Sequence, residues 1–222
     1  MTTWISVKTT VIAPNTKTAE GEKDHLGEFM DAAYGKDLHW HCEEPGGPQM
    51  ATLGHEGTPL SFHGLVPLRP SIVSAAPYDL PEGEELFDEL GMPLTGHLEE
   101  RRLWGCKWGA FEVMSGPVRL LPTADGARRA VTYDYLVANR YPTELWNTVS
   151  SKYIDLSFYS SWSYSERRGR SIHRYCDGYA LGVRRDIMQG DDEDGERWEA
   201  RLESWKKYFL DTHEHWVSEM IK

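Results

Sequence analysis

A chain of 222 residues that is 40% hydrophobic and 12% aromatic holds enough apolar material for one large domain, which excludes global disorder. A formal net charge of −11 repels a phosphate backbone unless a local basic patch overrides the field, so broad nucleic-acid binding is disfavoured and a basic partner favoured. Cys42, Cys106 and Cys176 form no CxxC pair, and there is no positive-then-apolar leader and no apolar run of membrane-spanning length, so a reducing, cytoplasmic setting is expected.

Thr3 to Ile12 alternates, with Ile5, Val7, Thr9 and Val11 on one face and Trp4, Ser6, Lys8 and Thr10 on the other, which predicts a half-buried strand. His25 to Ala33 reads as a short helix carrying Leu26, Phe29 and Met30 on one side. The turn residues of Glu43 to Pro48 suggest an irregular insertion at about 35–60. Leu60 to Ile72, broken by Pro67 and Pro70, is a crossing segment rather than a central strand. Leu80 to Leu90 carries acids and suits a short surface helix.

The second half is more regular. Ala110 to Val113 and Val118 to Leu121 suit strand, and Arg129 to Val137 alternates with Val131, Tyr133 and Tyr135 on one face. Pro142 to Ser151 reads as a helix, with Pro142 and Glu144 suited to its first turn. Asp155 to Tyr164 is a strand, and a hairpin strand is expected near Gly178 to Val183. The order β-α-β-β-α-β predicts an α+β fold, a split β-α-β (ferredoxin-like) antiparallel sheet spanning residues 1–190. After Asp191 to Gly195, residues 195–222 form a predicted amphipathic helix with Trp198, Trp205, Phe209 and Trp216 on one stripe. That stripe suits packing on the domain's own sheet, a seam between two copies, or a partner-docking arm.

Trp104-Gly-Cys-Lys-Trp-Gly-Ala-Phe111 resembles the tryptophan-rich signature, WGTKWDAYD in its usual form, of the YubB-like ferredoxin-fold family of phage and plasmid proteins. Met1 to Trp4, Leu60 to Pro67 and the run from Tyr133 through Pro142 to Leu156 and Gly178 resemble other parts of that family, so the resemblance covers roughly 1–14 and 60–182. Cys106 replaces the threonine of the pattern, Gly109 an aspartate, and Ala138 to Pro142 an AWSPP-like turn. The resemblance implies the fold and a mobile-element origin. It implies no established reaction.

Lys107 lies between Trp104 and Trp108, either as a cation held against rings to meet an anion or as part of a motif that stitches a strand to its neighbouring loop. His39, His41, Cys42 and His55 have metal-capable side chains, but their spacing matches no zinc pattern, and no metal or other cofactor is expected. Arg167, Arg168, Arg170 and Arg174 are expected at a hairpin tip, where paired donors would clamp an anionic ligand. There is no GxSxG, HExxH or Walker loop, and Cys106 has no catalytic neighbour in sequence, so no catalytic residue is assigned and an enzyme is not the favoured reading. The expectation is a phage or plasmid accessory protein that binds and inhibits or modulates a host factor such as a defence system. The alternative is a nucleotide or nucleic-acid binding module using the arginine-rich hairpin.

Overall fold

Period-two alternation places the first strand, β1 (Trp4–Ile12), at the heart of the sheet, because both of its edges are paired. The computed structural model describes residues 4–13, 24–35, 38–42, 49–53, 58–70, 96–123, 126–164, 170–185, 194–201, 203, 204 and 207; for 38–42, 49–53, 121–123, 126, 127, 164, 170–172 and 181–185 the backbone alone is described. In chain order the elements are β1, α1 (His25–Ala33), β2 (Leu38–Cys42), β3 (Gln49–Leu53), α2 (Phe62–Leu65), α3 (Gly96–Trp104), β4 (Lys107–Ser115), β5 (Arg119–Thr123), β6 (Gly126–Ala138), α4 (Thr143–Lys152), β7 (Ser157–Tyr164), β8 (Arg170–Cys176) and β9 (Tyr179–Arg185). Residues 195–201 are helical as well.

The fold is α+β with a seven-stranded antiparallel sheet ordered β4-β6-β1-β7-β8-β9, β5 also pairing with β6. The long β6 shares its outer edge between two partners, β4 along its C-terminal half and β5 along its N-terminal half.

Three features depart from the sequence expectations. The insertion at about 35–60 is not irregular throughout: β2 and β3 pair as a hairpin from Leu38↔Leu53 to Cys42↔Gln49 around the turn residues. Helix α3 was not anticipated. Arg170 and Arg174 belong to strand β8, paired with Ser163 and Tyr159, rather than to a hairpin tip. Arg167, Arg168 and the expected helix at Leu80 to Leu90 lie outside the described residues.

Residues directly opposite one another in an antiparallel sheet share a face. Ile5, Val7, Thr9 and Val11 therefore share one with Val137, Tyr135, Tyr133 and Val131, and with Trp162, Ser160 and Phe158. Helices pack here. Phe29 of α1 meets Tyr133 and Phe158 edge-on, Phe62 of α2 sits 5.9 Å from Tyr135, and Trp146 of α4 lies 5.6 Å from Phe158. Each such ring contributes about 1.5–3 kcal/mol by burial. Three hydroxyls in this face are linked in a chain: Trp146 Nε1–H donates to Tyr135 Oη at 3.1 Å, Tyr135 meets Thr9 at 3.0 Å, and Thr9 meets Ser160 at 2.7 Å. Burial pushes the Tyr135 hydroxyl far above its ordinary pKa, so the network stays neutral.

Local chemistry fixes the helix starts. Asp24 caps α1 by accepting from Gly27 N–H, and Arg129 of β6 donates to the same carboxyl, holding it below its ordinary value. Ser61 caps α2 through Gly64 N–H, and a Cβ at Gly64 would lie 2.5 Å from the Ala32 carbonyl, so only glycine lets α2 sit this close to α1.

Candidate functional site

The Trp104–Trp108 segment is a junction. Trp104 ends α3, Gly105 turns the chain at φ 79°, and Lys107 begins β4. Trp104 is fully buried; its Nε1–H donates to the Val66 carbonyl at 2.8 Å and its ring meets Phe62 edge-on. One side chain thus ties α3 to α2 and to the segment after it. Cys106 is also fully buried, with its thiol 3.5 Å from the Trp108 carbonyl.

Trp108 is different. It is half-buried and adopts a left-handed φ of 66°, which costs a bulky side chain on the order of 1–2 kcal/mol. Its N–H donates to Glu100 Oε2 at 3.2 Å, and the same oxygen lies 2.9 Å from His97 Nδ1. Glu100 is fully buried and His97 nearly so. Adjacent Glu99, equally buried, receives two 2.8 Å hydrogen bonds from Arg102. Burial lowers the His97 pKa despite the opposing pull of Glu100, so the neutral ring donates from Nδ1. Register shifts interrupt the pairing of β4 with β6 on both sides of Phe111, and Glu112 is a second left-handed residue, at φ 49°. Bulges and strained backbone of this kind re-aim side chains and concentrate at functional sites.

What β4 aims is a set of rings on the second sheet face, away from α1 and α4. Trp4, Trp108 and Phe111 lie within 6.1 Å of one another by ring centroids, all half-buried. Lys107 Nζ sits 4.7 Å over the Trp108 ring, and His97 meets that ring from below at 6.3 Å. Lys107 therefore lies against the Trp108 ring. Trp4, Phe111, His97 and Glu100 were not singled out from sequence, although the alternation of β1 places Trp4 on the solvent side and His97 and Glu100 stand at helical i, i+3 spacing.

This face has two ends. Thr10, Ile12, Ala130, Ser157 and Tyr159 are buried, so one end is covered. At the other, Ser6 and Lys8 are exposed beside half-buried Leu136, Ser161 and Ser163. The register continues these rows across the sheet, Leu136–Ser6–Ser163–Arg170–Arg185 forming one and Asp134–Lys8–Ser161–Ile172–Val183 the next. Arg174 stands on the same face with its guanidinium 5.7 Å over the Tyr159 ring.

Of the predicted C-terminal stripe, Trp198 is fully buried, so its ring is covered within the chain and is not available to dock a partner, and Arg201 lies 4.9 Å over it. Trp205, Phe209 and Trp216 lie outside the described residues. Among the described residues no group of three or more histidine, cysteine, aspartate and glutamate side chains is placed to hold a metal ion, and no helix is long and apolar enough to cross a membrane. The backbone of His39, His41 and Cys42 lies in β2, and His55 is outside the described residues.

His97 and His63 both have pKa values lowered by burial. In the unfolded chain a histidine takes up its proton near pH 6.5, so between that value and the lower folded value the unfolded state binds more protons. Stability should therefore decline as the pH falls from about 7.5 to about 5.5. The check is the urea midpoint at both pH values; the difference should shrink in His97→Gln and His63→Gln, and an unchanged midpoint in the parent chain would contradict the linkage.

Comparison of the chain with protein-family models, with curated proteins and with solved structures finds no match.

Proposed function

We propose that this is a binding protein whose working surface is the open end of the second sheet face, carried on a split β-α-β unit made of β1, α1, β4, β6, α4 and β7. The strand order β7-β1-β6-β4, with α1 and α4 packed on the opposite face, supports that reading of the scaffold. One observation carries the binding role: Trp108 is kept in a costly left-handed conformation by a buried glutamate, and its ring joins Trp4 and Phe111 at the surface. Aromatic side chains held in this way are the usual anchors of macromolecular contacts. The likeness of Trp104 to Phe111 to the YubB-like signature supports a phage or plasmid accessory role, inhibiting or modulating a host macromolecule such as a component of a defence system.

The test is comparative capture. Immobilised full-length protein and a Trp4→Ser/Phe111→Ser variant are exposed to the same host lysate, and retained protein and nucleic acid are both quantified. A species held by the parent and lost by the variant supports the surface. Equal recovery by the two rejects it.

A further inference from the structure

We infer that the open end of this face takes single-stranded nucleic acid, with bases stacked on Trp4 and Phe111 and phosphates met by Lys8, by Arg170 of β8 and by Arg185 of β9. The inference rests on the binding surface proposed above and names its occupant.

Three observations favour it. The first is local charge. Along β1, β6, β7, β8 and β9 the register gives the rows of the open end Lys8, Arg170 and Arg185 against Asp134, in a chain whose net charge is −11. A local patch of opposite sign to the whole molecule is what an anionic ligand needs and what a basic protein partner would avoid. The second is the division of labour across the sheet. Rings occupy the β1–β4 side, cations the β8–β9 side, and the hydroxyls of Ser6, Ser161 and Ser163 lie between them. Five inter-strand gaps from β4 to β9 span roughly 24 Å, enough for the low end of the 4–16 nucleotides taken by other single-strand-binding sheets. The third is the half-exposure of the rings. An unpaired base can stack on Trp4 or Phe111, whereas a duplex keeps its base faces inside, so the geometry selects single strands. The acidity of the rest of the molecule limits the affinity and makes it steeply salt-dependent.

The experiment uses the full-length chain and fluorescein-labelled oligothymidylate and oligouridylate of about twelve nucleotides, followed by anisotropy at about 50 and 200 mM salt, with a duplex of the same length beside them. Single strands should bind and the duplex should bind more weakly. Trp4→Ala should weaken binding about tenfold, in line with the loss of one base stack. Lys8→Ser, an exposed position where folding is not at stake, should weaken it uniformly and reduce the slope of log K against log salt by about one. No binding of either oligonucleotide, equal binding of the duplex, or binding unchanged by both substitutions overturns the inference. A protein captured at this face by the parent and lost by the Trp4→Ser/Phe111→Ser variant, with no oligonucleotide binding, also overturns it while leaving the surface itself in place. Equal capture by parent and variant removes the surface, and the inference with it.

Discussion

Trp104→Ala is expected to lower the unfolding free energy by about 3–5 kcal/mol, the range for deleting a large ring from a packed core. In a chain of this size that corresponds to a fall of roughly 6–20 °C in Tm. Two losses add. The ring leaves a cavity against Phe62, and the Val66 carbonyl loses the indole donor at 2.8 Å. Trp104→Phe separates them, since it keeps most of the apolar contact and removes the donor alone; it should cost about 1–3 kcal/mol. Guanidinium denaturation of the three proteins checks both values. A cost below 1 kcal/mol for the alanine variant would mean that α3 is not tied to the sheet through this ring.

Glu100→Ala should destabilise by about 2–5 kcal/mol, because it strands two buried donors, His97 Nδ1–H and Trp108 N–H, each costing about 1–3 kcal/mol when unsatisfied. Glu99→Ala makes the contrast. Glu99 is as deeply buried, but its Arg102 partner is about half exposed and can turn to water, so its cost should be smaller. The two variants also differ in a second readout. Loss of Glu100 frees Trp108 from its left-handed conformation, so amide exchange at Trp108 should accelerate, while loss of Glu99 should leave it unchanged. Equal destabilisation with unaltered exchange would remove the positioning role given to Glu100.

The strands that alternate cleanly were legible in the sequence. β1 and β6 bury the residues their patterns assign, α1 follows from Leu26 and Phe29, and α4 starts where Pro142 and Glu144 suit a first turn. Helix α3 was hidden because its inward side is polar: His97, Glu99 and Glu100 are buried where a pattern search looks for apolar residues. The β2–β3 hairpin was hidden by its own turn, since Glu43 to Pro48 dominated the reading of short flanking strands. Arginines disguised the start of β8, because cations on a solvent-facing strand look like a loop. Of the site, Lys107 and Trp108 stood out by composition. Trp4 and Phe111 did not, because only the sheet register brings residues more than a hundred positions apart into one cluster.

The central position of β1 has a consequence for how the chain comes into being. Thr9 finds its hydroxyl partners 126 and 151 positions downstream, at Tyr135 and Ser160. On a ribosome adding about 5–20 residues per second, β1 waits roughly 8–30 s for the last of its neighbours. Until β6 emerges Ile5, Val7 and Val11 have no sheet to enter and both edges of β1 are open to pairing with another nascent chain, and the second edge stays open until β7 follows. High sequence separation of this kind slows folding, so the protein is most vulnerable to aggregation while it is being synthesised, before β7 emerges.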